Sequence, residues 1–245
     1  MTAPFYVPPE QLTKERADFA RKGIARGRPI AVCGYTDGVL LIGENPSGSL
    51  HKLGEVYDRI AFAGVGRFNE FEILRTAGVR YADVKGYSYG RRDVTARGLA
   101  NAYSQTLGQI FTHELKPYEI EIMVAEIGDE PADTQIFRIL FDGTLGTVTH
   151  FGAMGGNDAK VGELLVEGWN PDLDLAAAVR LTAGAIEAVD DRTVAPLDWE
   201  AAVLDRTRGR RKFRRLTAED IANARATDVA AAVSPAPEAD ETEIP

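Results

Sequence analysis

The stretch GRPIAVCGYTDGVLLIGE, residues 27–44, decides which fold this chain adopts. It holds two apolar runs, at 30–35 and 39–44, with Thr36-Asp37-Gly38 between them. Because Asp-Gly between apolar runs is a strong hairpin signal, we predict two antiparallel strands joined at this turn.

Outward from this hairpin, helical and strand patterns come in groups. The predicted order is one helix, four strands, two helices, about four strands, two helices, two strands and a final helix. The second helix is predicted at 68–81, the third is predicted to be capped by Asp93, and 147–154 is predicted to form one or two strands. Thr217 with Asp220 is predicted to form a capping box at the start of the last helix. Such grouping is typical of two stacked antiparallel sheets with helices outside. In a doubly wound sheet, by contrast, single strands and single helices alternate along the chain. We therefore predict an α+β sandwich.

Composition and charge exclude several classes of protein. The 245 residues carry a formal net charge of −9, with a sequence pI near 5.0, which argues against a nucleic-acid binder with a globally basic surface. The only cysteine, Cys33, rules out an internal disulfide and suits a reducing cytoplasm. The first residues lack a signal-peptide pattern, and no apolar run approaches membrane-spanning length. We expect a cytoplasmic protein without a membrane or nucleic-acid partner.

The run 206–215 is the one strongly basic segment, with six arginines and Lys212. A nucleic-acid patch is one interpretation. An exposed edge strand is favoured, because Phe213 and Leu216 interleave with the charges and four acidic residues follow in the tail at 233–245. That tail has too few bulky apolar residues to offset the entropy of ordering, so it is predicted to be disordered.

No pattern for a metal site or cofactor is found. His51, His113 and His150 lack ligand spacing, and Pro117 stands where a second zinc-binding histidine would have to follow His113. Cys33 lies in an apolar strand, which favours a buried and inert thiol. The glycines at 152–156 lack the Lys and Ser/Thr of a phosphate loop and better fit the close packing of a helix start. We expect no metal and no cofactor.

Several strings, taken in order, resemble the α subunits of the 20S proteasome, most closely those of actinobacteria. They are ERADFARKGIARG (15–27), DGVLLIGENPSGSLHKLGEVYDRIAFAGVGRFNEFE (37–72), GYSYGRRDVTARGLANAYSQTLGQIFT (86–112) and KPYEIEIMVAEIG (116–128), followed by FDGT (141–144) and MGG (154–156). The resemblance covers about residues 4–216. It implies the four-layer αββα sandwich of N-terminal-nucleophile hydrolases, with a gating segment at 1–9, one domain at 10–232 and the tail at 233–245.

The resemblance also implies the partners. Such subunits form a seven-membered ring with copies of themselves, stacked on proteasome β subunits that carry the proteolytic threonines. A ring-shaped regulatory ATPase docks on the outer ring through its C-terminus. In actinobacteria the family degrades proteins marked by a small protein tag, although nothing in these residues reads that tag.

Arg28 and Pro29 stand where the catalytic residue of a nucleophile hydrolase would be, at the start of the first strand. Such an enzyme needs a threonine, serine or cysteine as its first mature residue, because the free α-amine is the base. Thr2 lies far upstream of that strand. We therefore expect no catalytic residue in this chain; the alternative, an autonomous hydrolase of this fold, requires processing to a new N-terminal nucleophile.

Lys52, in the string SLHKLGEVYDRI, matches the lysine that α subunits place in pockets between neighbouring subunits. The resemblance implies that its ammonium pairs with the C-terminal carboxylate of the activator, while apolar walls hold the penultimate side chain. Without the resemblance, a lone lysine is read as a solvated surface group.

Two more sites follow from the resemblance. Phe5, Tyr6, Val7 and Pro8 are expected to converge with their symmetry mates over the axial pore and close it, where the alternative is a frayed terminus. The Tyr-Asp turn of archaeal and eukaryotic gates is absent. The loop His113-Glu114-Leu115-Lys116 occupies the place of a pore constriction in archaeal relatives, although its residues differ from theirs.

Overall fold

The computed structural model describes residues 8–231. Its helices are α1 Pro9–Ala25, α2 Phe68–Ser88, α3 Ala96–His113, α4 Asp158–Gly168, α5 Leu175–Asp190 and α6 Ala218–Ala231. Its strands are β1 Ile30–Tyr35, β2 Gly38–Glu44, β3 Leu53–Tyr57, β4 Ile60–Gly66, β5 Ile120–Glu126, β6 Gln135–Ile139, β7 Leu145–Val148, β8 Phe151–Met154, β9 Trp199–Asp205 and β10 Phe213–Arg215.

The strands form two five-stranded antiparallel sheets. The first has the order β10-β9-β2-β1-β8 and the second the order β3-β4-β5-β6-β7. The predicted hairpin is confirmed, since β1 and β2 pair in a register that puts Tyr35 opposite Gly38. Gly38 is required at this turn because a Cβ there would lie 1.9 Å from the carbonyl oxygen of Leu204.

Apolar side chains alternate between the two faces of each sheet and so build three cores. Val32, Leu41, Ala63 and Met123 belong to the core between the sheets. The outer face of the first sheet packs on α4, α5 and α6, and the outer face of the second on α2 and α3. The predicted αββα sandwich is confirmed. The helix α1 contributes Ala20 and Ile24 to the central core and contacts β4 and β5.

Two local predictions needed correction. The helix α2 continues to Ser88 instead of ending at 81. The cap of α3 is Thr95, whose side chain accepts from the Gly98 N–H at 3.2 Å, whereas Asp93 lies in a short 3-10 turn. The prediction of one or two strands at 147–154 is confirmed, since these residues contribute to β7 and β8, which belong to different sheets.

Two other local predictions are confirmed. Thr217 and Asp220 exchange hydrogen bonds of 2.9 and 3.0 Å across the start of α6, as a capping box does. The strand β10 lies at the edge of the first sheet, within the basic run 206–215. The division into segments 1–9, 10–232 and 233–245 stays a prediction, because residues 1–7 and 232–245 lie outside the described part of the chain.

Candidate functional site

The start of β1 is filled by paired charges. Pairing of Ile30 with Gly43 brings Arg28 beside Glu44, the last residue of β2. The Glu44 side chain is only 3% exposed, and it pairs with Arg28 and also with Arg192, which follows α5 and donates from Nη1 at 3.0 Å. Neither Arg28 nor Pro29 carries a hydroxyl or thiol, so the place of the nucleophile holds a guanidinium bound to a buried carboxylate.

Lys52 lies beside this ion pair, at the end of the loop that joins β2 to β3. Its Nζ donates to the main-chain oxygen of Glu44 at 2.9 Å, and its own carbonyl accepts from the Gly64 N–H at 3.0 Å. The side chain is half-buried. Burial lowers the pKa of Lys52 to about 8; the charge of Glu200 opposes this shift, and that of Arg28 adds to it. The ammonium is therefore poorly solvated and short of a carboxylate partner.

A second buried carboxylate, Glu200 on β9, holds the same loop. The groups that donate to it are the main-chain N–H of Lys52 at 2.9 Å and of Leu53 at 3.1 Å, the Asn45 amide at 2.6 Å and the Arg215 guanidinium at 2.9 Å. The His51 ring lies 3.4 Å from the same carboxylate. Glu200 therefore ties the loop to the first sheet.

Cations outnumber carboxylates in this cluster. It contains Arg28, Lys52, Arg192 and Arg215 against Glu44, Glu200 and Asp190, the last lying 3.5 Å from Arg192. The excess of one positive charge, on partly buried groups, suits the binding of one further carboxylate. We call this set the Lys52 cluster.

The predicted pore loop is held at another place and begins one residue later than predicted: His113 is the last residue of α3, and 114–116 pack against α1 and α2. Arg16 of α1 donates to the carbonyl oxygen of Glu114. Lys116 Nζ donates to Glu70 of α2 at 2.6 Å, while the Leu115 side chain is fully exposed. The loop therefore presents an apolar side chain to its surroundings from a firmly held base.

The gate residues are described only in part. Phe5, Tyr6 and Val7 lie outside the described residues, and Pro8 is exposed and immediately precedes α1. Arg16, which holds the loop 113–116, is about 12 Å along α1 from Pro8 at the usual helical rise. Among the described residues, the predicted pore loop is therefore anchored about two turns of α1 after Pro8, whereas the Lys52 cluster lies beyond the C-terminal end of α1.

The opposite end of β1 opens into a cleft of about 620 Å³. Its walls include Tyr35, Phe137 and Trp169, and the Trp169 indole stacks on the His150 ring at 4.4 Å between centroids. Among residues 8–231, the His150 ring has no hydrogen bond to a hydroxyl group. The cleft therefore shows no pairing of a nucleophile with a base.

Other predicted features are located as follows. Cys33 is fully buried, and burial raises the pKa of its thiol to about 12. Gly156 packs against the end of α1, since a Cβ there would lie 2.7 Å from the Ala25 carbonyl oxygen. Among the side chains that the structure describes, those of residues 8–226, no three His, Cys, Asp or Glu groups gather as metal ligands would. No helix in that part of the chain is long and apolar enough to span a membrane.

Neighbouring acids pair at 3.2 Å or less with three of the seven cations in the basic run 206–215. Arg211 pairs with Glu55 at 2.5 Å, Arg214 lies 3.2 Å from Asp220, and Arg215 binds the carboxylate of Glu200 described above. These pairs fit an edge strand better than a surface held open for phosphates.

Comparison with known proteins decides the family. The model of the proteasome subunit family matches residues 26–201, which include the Lys52 cluster except Arg215. The chain belongs to the proteasome subunit family. Its curated relatives are α subunits: a protein named proteasome subunit alpha from Kineococcus radiotolerans is 54% identical over 230 residues, covering 91% of this chain and 97% of that protein. Proteins of the same name from Xylanimonas cellulosilytica and a Nocardioides species are 56% and 57% identical, covering 88% of this chain and 93% and 86% of theirs.

As a proteasome α subunit, the chain is a component of an assembly with β subunits. Sequence reasoning named Lys52 but missed Glu44 and Glu200, which place it. One signal was present, because each is an acidic residue inside an otherwise apolar strand. A carboxylate at such a position is costly to bury unless it is paired.

Proposed function

We propose that this proteasome subunit is non-catalytic and builds the seven-membered outer ring of a 20S core. The ring gates entry and docks a ring-shaped regulatory ATPase, and tagged proteins are degraded by threonines of the β subunits. The observation that carries the proposal is the Lys52 cluster. A guanidinium stands where a nucleophile is needed, and beside it lies a half-buried ammonium with a charge excess of one.

Docking at Lys52 is supported by the state of its ammonium. Lys52 Nζ is bound by a neutral main-chain oxygen, that of Glu44, while the nearest acids are engaged by arginines and main-chain N–H groups. A chain-end carboxylate would supply a charge-assisted hydrogen bond in a partly dehydrated site, where such bonds are strong. The lowered pKa of Lys52 implies that docking weakens as the pH rises through about 8.

Gating is supported by the exposed apolar groups around α1. Leu12 and Phe19 on α1 are 48% and 45% exposed, and Leu115 of the neighbouring loop is fully exposed. Such groups are better explained by contact with neighbouring copies than by permanent exposure. In the proposal, Phe5, Tyr6, Val7 and Pro8 close the ring; of these only Pro8 is described, directly before α1.

Docking is tested with Lys52→Ala in particles assembled with the β partner. The measured quantity is the ratio of ATPase-stimulated protein degradation to basal peptide turnover. We expect this ratio to fall about tenfold, the effect of losing one charged hydrogen bond. Lys160→Ala, which removes an exposed lysine on α4, serves as the control. A ratio equal to that of the unmodified particle contradicts docking at Lys52.

Gating is tested in the same particles by deleting residues 1–8. Basal turnover of small peptides is expected to rise several-fold, because the deletion opens the pore and touches no group of the β active sites. Unchanged turnover refutes the gate. The chain without its β partner is expected to hydrolyse no peptide, and turnover by it would favour an autonomous hydrolase.

A further inference from the structure

We infer that Glu200 is the positioning residue of the docking site: its carboxylate holds the main chain at Lys52 and thereby aims the ammonium. The inference rests on the proposed docking function and adds a residue to it. Glu200 lies on β9, 148 positions from Lys52 in the sequence. The lysine is therefore located by an inner strand of the first sheet, and not by its own loop alone.

The bonds to Glu200 leave little freedom to the end of the loop. The N–H groups of two successive residues, Lys52 and Leu53, donate to the two oxygens of one carboxylate, at 2.9 and 3.1 Å. The start of the loop is fixed as well, since the Asn45 amide donates both to Glu200 and to the Leu50 carbonyl oxygen, each at 2.6 Å. Both ends of the loop thus converge on Glu200.

The chemistry of these contacts requires a carboxylate. Oε2 accepts from the Asn45 amide and the Lys52 N–H, and Oε1 accepts from the Leu53 N–H and Arg215. All four partners are donors. A glutamine would place its own NH₂ against two of them in either orientation, because a side-chain amide has one acceptor and one donor end. A glutamine at position 200 therefore cannot accept all four hydrogen bonds that Glu200 accepts.

Several charges face Lys52 from the elements packed around it. They are Glu200 on β9, the Arg28–Glu44 pair between β1 and β2, Arg192 after α5, Arg215 on β10 and His51 on its own loop. Glu200 raises the pKa of Lys52 against burial, the larger effect, and Arg28 lowers it. Loss of the Glu200 charge should therefore lower the pKa of Lys52 and shift the pH dependence of docking downwards.

The test measures binding of a probe peptide to the core assembled with its β partner. The probe is a fluorescein-labelled heptapeptide ending in Tyr-Leu with a free carboxylate, and the same peptide with a C-terminal amide reports binding that ignores the carboxylate. Binding is followed by fluorescence anisotropy at pH 6.5, 7.5 and 8.5. For Glu200→Gln we expect affinity to fall about threefold at pH 6.5 and about tenfold at pH 8.5.

Two further variants separate positioning from general damage. Glu126→Gln removes another buried carboxylate, which pairs with Arg59 at 2.8 Å at the end of β5 in the second sheet, and should bind the probe as the unmodified core does at all three pH values. Glu200→Asp keeps the charge, but its side chain is one methylene shorter, so the carboxylate lies farther from the N–H groups of the loop. It should weaken binding by about the same factor at every pH, because the charge near Lys52 remains.

The outcomes distinguish the two proposals. If the unmodified core binds acid and amide probes equally, or Lys52→Ala binds the acid normally, the docking function itself fails. If Lys52→Ala loses binding while Glu200→Gln matches the unmodified core, or weakens equally at all pH values, the role of Glu200 is overturned. If Glu200→Gln does not assemble, the Glu200→Asp variant provides the test. Binding of the probe by that variant with the affinity of the unmodified core would overturn the positioning role of Glu200.

Discussion

The two ends of β1 differ in what fills the space between neighbouring elements. At the Arg28 end, Glu44 and its arginines form a compact set of ion pairs, with Lys52 beside them. At the Tyr35 end, about 20 Å away at the usual rise of a strand, an open cleft is walled by aromatic rings and held by Trp169. In a nucleophile hydrolase the first end would have to be open and reactive. Here the Arg28 end is filled by ion pairs. The cleft lies at the Tyr35 end, where no nucleophile is paired with a base among the described residues.

Under the proposed docking function, the difference explains how a hydrolase fold would offer a surface to a partner. The sandwich needs a strong contact wherever α1 passes into β1, and a buried carboxylate with two arginines supplies it. The same arginines leave the neighbouring lysine without a carboxylate, so the cluster stays ready for one from outside. The aromatic end is held by ring packing and by the hydrogen bond from the Trp169 indole to the Gly34 carbonyl oxygen.

The largest effect is expected at the aromatic end. Trp169→Ala removes the stack on His150, the contact with Phe151 at 5.6 Å and a 2.9 Å hydrogen bond to the Gly34 carbonyl oxygen. We expect the free energy of unfolding to fall by about 3 kcal/mol, the low end for such truncations because the indole is partly exposed. Chemical denaturation of the chain purified without its β partner measures this, and a loss below about 1 kcal/mol would show that aromatic packing does not hold this end.

A smaller effect is expected at the charged end. Glu44→Gln keeps the shape but sets an amide against Arg28 and Arg192, whose side chains are 44% and 37% exposed. Unpairing a buried carboxylate usually costs more, but these arginines can turn to water, so we expect a loss of about 2 kcal/mol. The loss should shrink in 1 M salt, whereas that of Trp169→Ala should not. If salt changes the stability loss of both variants by the same amount, the two ends of β1 are not stabilised by different forces.

Much of the fold could be predicted because its signals are local. Asp37-Gly38 between apolar runs marks the first hairpin, and Thr217 with Asp220 marks the start of the last helix. The pairing of β8 with β1 could not be predicted, since the residues that pair, such as Ile30 and Met154, are far apart in the sequence. The end of α2 was misplaced because its last turns expose Val84 and Tyr87, which blurs the helical periodicity.

The candidate site was predictable only as single residues. Lys52, His113 and Lys116 came from resemblance, and residue spacing alone would have left them as surface groups. The contacts that give Lys52 its character come from Glu44, eight positions before it, and from Glu200 on a distant strand. Such contacts are set by tertiary packing, which no local pattern records.

The measurement that tests the central claim most directly asks whether the Arg28 end of β1 carries a reactive nucleophile in the assembled particle. Particles assembled with the β partner would be treated with an electrophile that traps N-terminal threonines, and both chains weighed by mass spectrometry. We predict that this chain keeps its residues before Arg28 and gains no adduct, while the β chain is labelled. A processed form of this chain that begins at a new Thr, Ser or Cys and carries the adduct would contradict the account.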